Sequence, residues 1–313
     1  MSEQKFRLSI DQLAGPRPDL VYHYTDAAGL LGIVHSHQLW ASSAPVLNDK
    51  EELRYGIHVI QLAIDELETE QAIPLSSCQR WREITESDLF TSVVEDSFIL
   101  STSSDDDLLS QWRGYAGGTG FSLGLNNRNL FPLRNENGHR KTSFPSLTTP
   151  GWLPVVYEPS KQIEIAKSVL KRSSKTDMEV LWDTTVNQVP ALSAGPEFTE
   201  HLERGMDIMR LQRLTACLKH PAFQDEREVR FVIVRTDSPQ VRFRHSDNRI
   251  IPYALLHGGL AEDTHEKSGT LPIVSVKCGP GVRPETPQVV AEMLKNNGYD
   301  GVSISSSNIP VQD

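Results

Sequence analysis

Apolar positions along the chain switch between a period of two and a helical period. Val21-Tyr22-His23-Tyr24-Thr25 is dominated by β-branched and aromatic residues and reads as a strand. Thr25 or Asp26 can cap a helix starting directly after it. Residues 27–40 carry Leu30, Ile33, Val34 and His37 at helical spacing. Gly29 and Gly32 each weaken that helix by about 1 kcal/mol relative to alanine, which predicts close packing against it. Asn48 with Glu51, or Asp49 with Glu52, forms a capping-box-like start. The helix behind it has Leu53, Ile57, Ile60, Ile64 and Leu67 on one stripe, runs to about Gln71, and is closed by Pro74.

Residues 98–103 predict a second strand. Asp105, Asp106 and Asp107 would cap a short helix holding Leu108, Leu109 and Trp112, interrupted by Gly114, Gly117, Gly118 and Gly120. Residues 121–125 resume as a strand, 126–151 read as a surface loop rich in Asn, Pro, Thr and Gly, and 153–157 as a further strand. The stretch 160–220 is mostly helical. Phe198, Leu202, Met209 and Leu214 mark its best amphipathic part, and Pro190 and Pro196 break it. The last third returns to strands at 228–234, 241–245, 250–256 and 272–276. After these come a Gly-Pro-Gly turn, a helix at 288–296 and a strand at 301–305. Strands bracketing a helical middle predict one α+β domain over 1–313, with 158–220 as a helical insertion.

Charge and composition narrow the function classes. The 313 residues carry a net charge of −10 and are 38% hydrophobic, which supports a folded core and disfavours a protein that coats DNA through bulk charge. An enzyme acting on a nucleic acid through a local basic patch stays open. No run approaches the roughly 18 apolar residues of a membrane helix, and the first residues lack a signal-peptide pattern. Cys78, Cys217 and Cys278 are odd in number and widely spaced, which points to a reducing cytosol.

Three segments hold candidate chemistry. In a strand, His23 and Thr25 point to one face, where an imidazole and a hydroxyl can grip the vicinal hydroxyls of a ribose. The plainer alternative is a satisfied buried histidine. Glu226 and Glu228, entering the strand at 228–234, share a face about 7 Å apart and can split their proton affinities. The alternative is a charged turn in which Arg227 and Arg230 pair the acids. Ser101 and Ser103 end a strand, with Trp112, Arg113 and Tyr115 downstream. An aromatic ring there can stack on a planar heterocycle and Arg113 can meet a phosphate, or the segment is a helix exit with glycines at positive φ. Cys217 and His220 lack a second ligand pair, and no acidic metal cluster or serine-hydrolase elbow is present.

The chain resembles the bacterial family known as domain of unknown function 2971. The likeness rests on Tyr22-His23-Tyr24-Thr25, Leu47-Asn48-Asp49 with Glu52, and Leu109-Ser110-Gln111-Trp112-Arg113-Gly114-Tyr115. It also rests on Leu218-Lys219-His220-Pro221-Ala222-Phe223, on Glu226, Glu228 and Arg230, and on Ser307-Asn308-Ile309-Pro310. The order of histidine strand, Ser-x-Ser or Tyr, then Glu-x-Glu also resembles the ADP-ribosyltransferase plan. That resemblance implies a split β-sheet core and NAD as a consumed substrate, with no metal. It implies that His23, with Thr25 beside it, binds a ribose, and that Ser101 and Ser103 or Tyr115, with Trp112 and Arg113, form the middle of the site. Glu228 would accept a hydrogen bond from the nicotinamide ribose, and Glu226 would select the acceptor. The implied activity is transfer of ADP-ribose to a macromolecule or hydrolysis of NAD, as in a toxin or phage-defence effector. The competing expectation is a non-catalytic module that binds a nucleotide or a protein.

Overall fold

The stripe expected after Lys50 is buried as a stripe: Ile60, Ile64 and Leu67 have no exposed surface, and Leu53 is close to none. The computed structural model describes residues 18–46, 50–127, 131, 151–171, 196–234, 240–246, 248–258 and 269–310. The expected capping residues Asn48 and Asp49, most of the loop expected at 126–151, and Pro190 lie outside the described residues.

The strands are β1 (Leu20–Thr25), β2 (Gln38–Ser43), β3 (Ser97–Ser103), β4 (Phe121–Asn126), β5 (Gly151–Pro154), β6 (Glu228–Val234), β7 (Val241–Ser246), β8 (Arg249–His257), β9 (Ile273–Cys278) and β10 (Ser303–Ser306). The α-helices are α1 (Ala27–Ser36), α2 (Lys50–Thr69), α3 (Leu75–Thr85), α4 (Asp88–Glu95), α5 (Leu109–Tyr115), α6 (Pro159–Lys171), α7 (Pro196–Cys217) and α8 (Thr286–Asn296). The result is a mixed α+β fold: β10 and β9 are parallel, and the other described strand pairs are antiparallel.

β3 organises the sheet. Along one edge it pairs with β6 over its whole length, from Ser97 with Val234 to Ser103 with Glu228. Its other edge is divided. β2 takes the start, where Ser42 pairs with Ile99, and β1 takes the end, where Tyr22 pairs with Ser103. β4, β9 and β10 continue outward from β1, and β8 and β7 from β2. The sheet therefore splits along β3.

Alternation along β3 and β6 builds two cores, one on each face. Phe98 and Leu100 join Val229, Phe231 and Ile233 on one face, with α1 and α8 residues such as Leu30, Val34, Val290 and Leu294 packed there. Ile99 and Val232 face the other way, into a layer built from α2, α3, α4, α6 and α7. The helices expected as an insertion share this layer with α2–α4: Ile165 and Leu211 pack in the same cluster as Ile60 and Trp81.

Several boundaries differ from expectation. The first helix ends at Ser36, because His37 takes the left-handed conformation (φ 53°), and residues 38–43 then form β2. Trp40, expected at the end of the helix, stands on that strand. Asp26 caps α1, accepting from the Gly29 amide at 2.7 Å. Gly29 meets the expectation of close packing, since a Cβ there would lie 2.0 Å from Thr25 Oγ1; Gly32 faces open space. Pro196 is the first residue of α7. Met209 is half-buried and Leu214 fully buried, while the side chains of Phe198 and Leu202 lie outside the described residues. Asp105, Asp106 and Asp107 do not cap α5, whose capping residue Leu108 makes no side-chain bond. Asp107 instead accepts from Trp112 Nε1 (2.9 Å), Ser307 Oγ (2.6 Å) and the Asn308 amide (3.3 Å). The Ser-Asn pair near the end of the chain is thus tied to the entrance of α5. All three cysteines are buried and outside any disulfide, and no helix among the described residues is long and apolar enough to cross a membrane.

Candidate functional site

The start of β6 is where the helical layer gives way to charge. Glu228, Arg230 and Val232 share one face of the strand. Val232 lies under the helices, and Arg230 and Glu228 continue its row. Arg227, in the left-handed conformation (φ 47°), separates β6 from the 3₁₀ turn Pro221–Glu226. Its guanidinium pairs with Asp105 at 2.7 Å, so of the two arginines considered as partners for the acids only Arg230 takes that role.

Five charged side chains meet there. Arg230 forks onto Glu228, with Nε to Oε1 and Nη2 to Oε2 both at 2.8 Å. Its Nη2 also reaches Glu52 Oε2 (2.6 Å), and Nη1 donates to the Ala216 carbonyl (3.0 Å). Lys219 Nζ lies 2.8 Å from Glu52, 2.8 Å from Glu226 and 3.1 Å from Glu228. Three carboxylates against two cations leave the cluster with one negative charge. Glu52 comes from the first turn of α2 and places one oxygen on Lys219 and the other on Arg230.

The backbone around this cluster is pinned from beneath. Gln162 is fully buried and fully bonded. Its Nε2 donates to the Val156 and Lys219 carbonyls (2.7 and 2.8 Å), and its Oε1 accepts from Tyr55 (2.7 Å). The Tyr157 hydroxyl accepts from the Glu228 amide at 3.0 Å.

The two carboxylates of the Glu-x-Glu pair are driven apart in proton affinity. Burial alone would raise Glu228, but Arg230 and Lys219 outweigh it, with a hydrogen bond from Ser101, and hold the carboxyl at about 2. Glu226 is half-buried, and its proton affinity is raised by that burial, against the pull of Lys219 and with the push of Glu228 and Glu52. Tyr115 is half exposed. Its hydroxyl is pushed up to about 12 by desolvation and by the negative potential of Glu226 and Glu228, and its helix is held against the 3₁₀ turn by Ser110, whose hydroxyl donates to the Asp225 carbonyl at 3.2 Å.

His23 and Glu228 both meet Ser101. The His23 Nδ1 lies 3.2 Å from the Ser101 carbonyl, and Ser101 also bonds to the Glu228 carboxylate. A carbonyl only accepts, so Nδ1 carries the proton. Burial lowers the proton affinity of the ring, which leaves it neutral with Nε2 as an acceptor. In the cross-strand row Tyr22, Ser103 and Glu228 share a face, so His23 leaves β1 on the other side. It reaches Ser101 through the split in the sheet.

Other expected site residues have structural work. Trp112 is 0% exposed, packed edge-on against Tyr24 (4.7 Å between centroids), and is a core residue instead of a stacking platform. Ser103 is also fully buried; its hydroxyl donates to the Glu226 carbonyl at 2.9 Å and so sets the backbone of Glu226. Thr25 packs its hydroxyl against Gly29. Arg113 is exposed and makes no ion pair among the described residues. Cys217 donates to the Leu214 carbonyl and His220 caps the 3₁₀ turn. No group of three or more metal-binding side chains occurs among the described residues. Lys219 and Glu52 carry no local signal of their own, although both stand inside the blocks on which the family resemblance rests.

The ionised network makes stability pH-dependent. Glu228 has a folded-state affinity below its ordinary 4.5, so its contribution is complete above pH 4.5 and is lost as pH falls toward 2, on the order of 3 kcal/mol. Asp207 on α7 runs the other way. Burial raises it from 3.8 to about 6 despite Arg80 at 2.7 Å, so stability falls as pH rises between these values. Urea unfolding at a series of pH values is expected to show both limbs, and Asp207→Asn to remove only the second. A flat profile below pH 4.5 would show that Glu228 is not held by its cations.

Residues 111–231 match the model of a family described as Protein of unknown function (DUF2971), a span from Gln111 through Tyr115, Lys219, Glu226 and Glu228 to Phe231. The chain is similar to that family over this stretch. No curated protein and no solved structure matches the chain.

Proposed function

We propose that this protein cleaves the bond between nicotinamide and ribose in NAD, in the manner of an ADP-ribosyltransferase, and passes ADP-ribose to a macromolecule or to water. The observation that carries the reading is the divided pair of carboxylates: Glu228 fixed and ionised, Glu226 half-buried with raised proton affinity, both beside the half-exposed Tyr115. The net negative charge of the cluster suits a cationic nicotinamide ring. The Tyr115 face adds about 0.5–1 kcal/mol of cation–π attraction at an exposed site.

In this scheme the bond from ribose C1′ to the ring nitrogen breaks and its electron pair leaves with neutral nicotinamide. The sugar passes through an oxocarbenium-like transition state, whose positive charge Glu228 stabilises. The incoming oxygen or nitrogen bonds to C1′ and gives its proton to Glu226. Arg113 is the exposed cation of the α5 segment for the pyrophosphate, while His23, whose ring leaves the other side of β1, acts through its bond to the Ser101 carbonyl and not on the ribose that Glu228 holds. The split of the sheet along β3 is a further point in favour of this fold family. Consumption of NAD in this way suits a toxin or phage-defence effector.

A second reading, a nucleotide- or protein-binding module, is favoured by one fact: Glu228 is only 5% exposed and every described contact of its carboxylate is already made. Incubation with adenylate-labelled NAD, with and without cell extract, separates the two. Nicotinamide release or label transfer that disappears in Glu228→Gln supports the enzyme. Calorimetric NAD binding without turnover, unchanged in Glu228→Gln, supports the module.

A further inference from the structure

The outer strands β2, β8 and β7 carry a second surface. Cross-strand pairing sets its composition. Ser42 pairs with Ile99 and Tyr253 with Ser42, while Arg242 pairs with Tyr253 and Ser246 with Arg249. Trp40, Ser42, Tyr253, Arg242, Arg244 and Arg249 therefore stand on one face. Trp40 stacks on Tyr253 at 4.5 Å with 29° between planes, and is nevertheless 46% exposed. Arg244 donates to Ser42 Oγ at 3.2 Å, while its buried Nε has no partner among the described residues. Arg242 and Arg249 are exposed, and neither is ion-paired among the described residues.

This face is electropositive in a chain of net charge −10. Residues 240–258 contain three arginines, all on this face, against Asp247 alone. Alternate residues on a strand lie about 7 Å apart, so the arginines form a row beside the indole. A flat aromatic ring, held from behind and open in front, next to a row of guanidinium groups, is the arrangement that binds single-stranded nucleic acid: bases stack and phosphates pair. An acidic protein would use the arginines and leave the exposed indole without a role.

We infer that the face formed by Trp40, Arg242, Arg244 and Arg249 binds single-stranded nucleic acid. The inference does not rest on the NAD reading, because binding is measured without NAD.

The test uses the full chain and fluorescent single-stranded oligonucleotides of about 12 nucleotides, poly-dT and poly-U, followed by anisotropy over a range of salt. Wild-type protein is expected to bind at low salt, and more weakly to a duplex. Trp40→Ala is expected to weaken binding about 10-fold and Trp40→Phe much less, since stacking survives. Arg242→Ala with Arg244→Ala is expected to reduce the slope of log affinity against log salt by about 1.4. Circular dichroism checks the fold of each variant. Absence of binding at low salt, equal binding by Trp40→Ala, or equal affinity for duplex would overturn the inference. Competition by polyglutamate with no effect of Trp40→Ala would assign the face to an acidic protein instead and overturn it too.

Discussion

Arg230→Met is expected to lower the free energy of unfolding by about 3–5 kcal/mol, a large part of what a typical domain has. Arg230 is 4% exposed and supplies four hydrogen bonds, two to Glu228, one to Glu52 and one to the Ala216 carbonyl. Methionine fills a similar volume but leaves Glu228 buried with Lys219 as its only cation among the described residues. Most of the loss is the cost of that uncompensated carboxylate. Changing Glu228 and Arg230 together to apolar residues is therefore expected to recover much of the stability, because both desolvation costs go at once. Urea unfolding of the single and double variants measures this. A loss under about 1 kcal/mol for Arg230→Met would mean that water replaces the guanidinium easily and the cluster is open.

Glu228→Gln is expected to lower NAD cleavage by about 10²–10³. Glutamine keeps the shape of the side chain and one acceptor for Arg230, but removes the charge facing the developing cation. Lys219 keeps Glu52 and Glu226 as partners, and Arg230 keeps Glu52, so the variant is expected to stay folded. Unfolding measured alongside activity distinguishes loss of chemistry from loss of fold. Glu226→Gln provides an independent arm. It leaves the Arg230–Glu228 fork in place and removes the proton acceptor, so it is expected to impair transfer or hydrolysis while NAD still binds. Full turnover in Glu228→Gln would remove the mechanism.

The parts of the structure legible in the sequence are those in which local pattern and burial agree. β6 has an uninterrupted apolar run from Phe231 to Val234, and α2 has a stripe at helical spacing; both lie where expected. β2 is hidden because Leu39 and Ala41 alternate with the exposed Trp40, and its helix-like reading depends on His37, which the fold turns left-handed. Glu226 and Glu228 are visible as a pair, and the separation of their proton affinities is set by their neighbours. Those neighbours are not visible. Lys219 comes from the end of α7 and Glu52 from the start of α2, and neither position has a local pattern that distinguishes a network member from a surface charge. Trp112 misleads for a related reason. An indole beside glycines suggests stacking, but Asp107 accepts its N–H and Tyr24 packs on its ring, so tertiary contacts decide its role.

The most direct test of the central claim is a crystal structure of the Glu226→Gln protein with NAD, chosen because this change is expected to slow turnover and keep the Arg230–Glu228 fork. The account predicts the nicotinamide ring against Tyr115, with the hydroxyls of its ribose within about 3 Å of the Glu228 carboxylate. NAD bound elsewhere, or a dinucleotide turned so that its adenine faces Glu228, would contradict it.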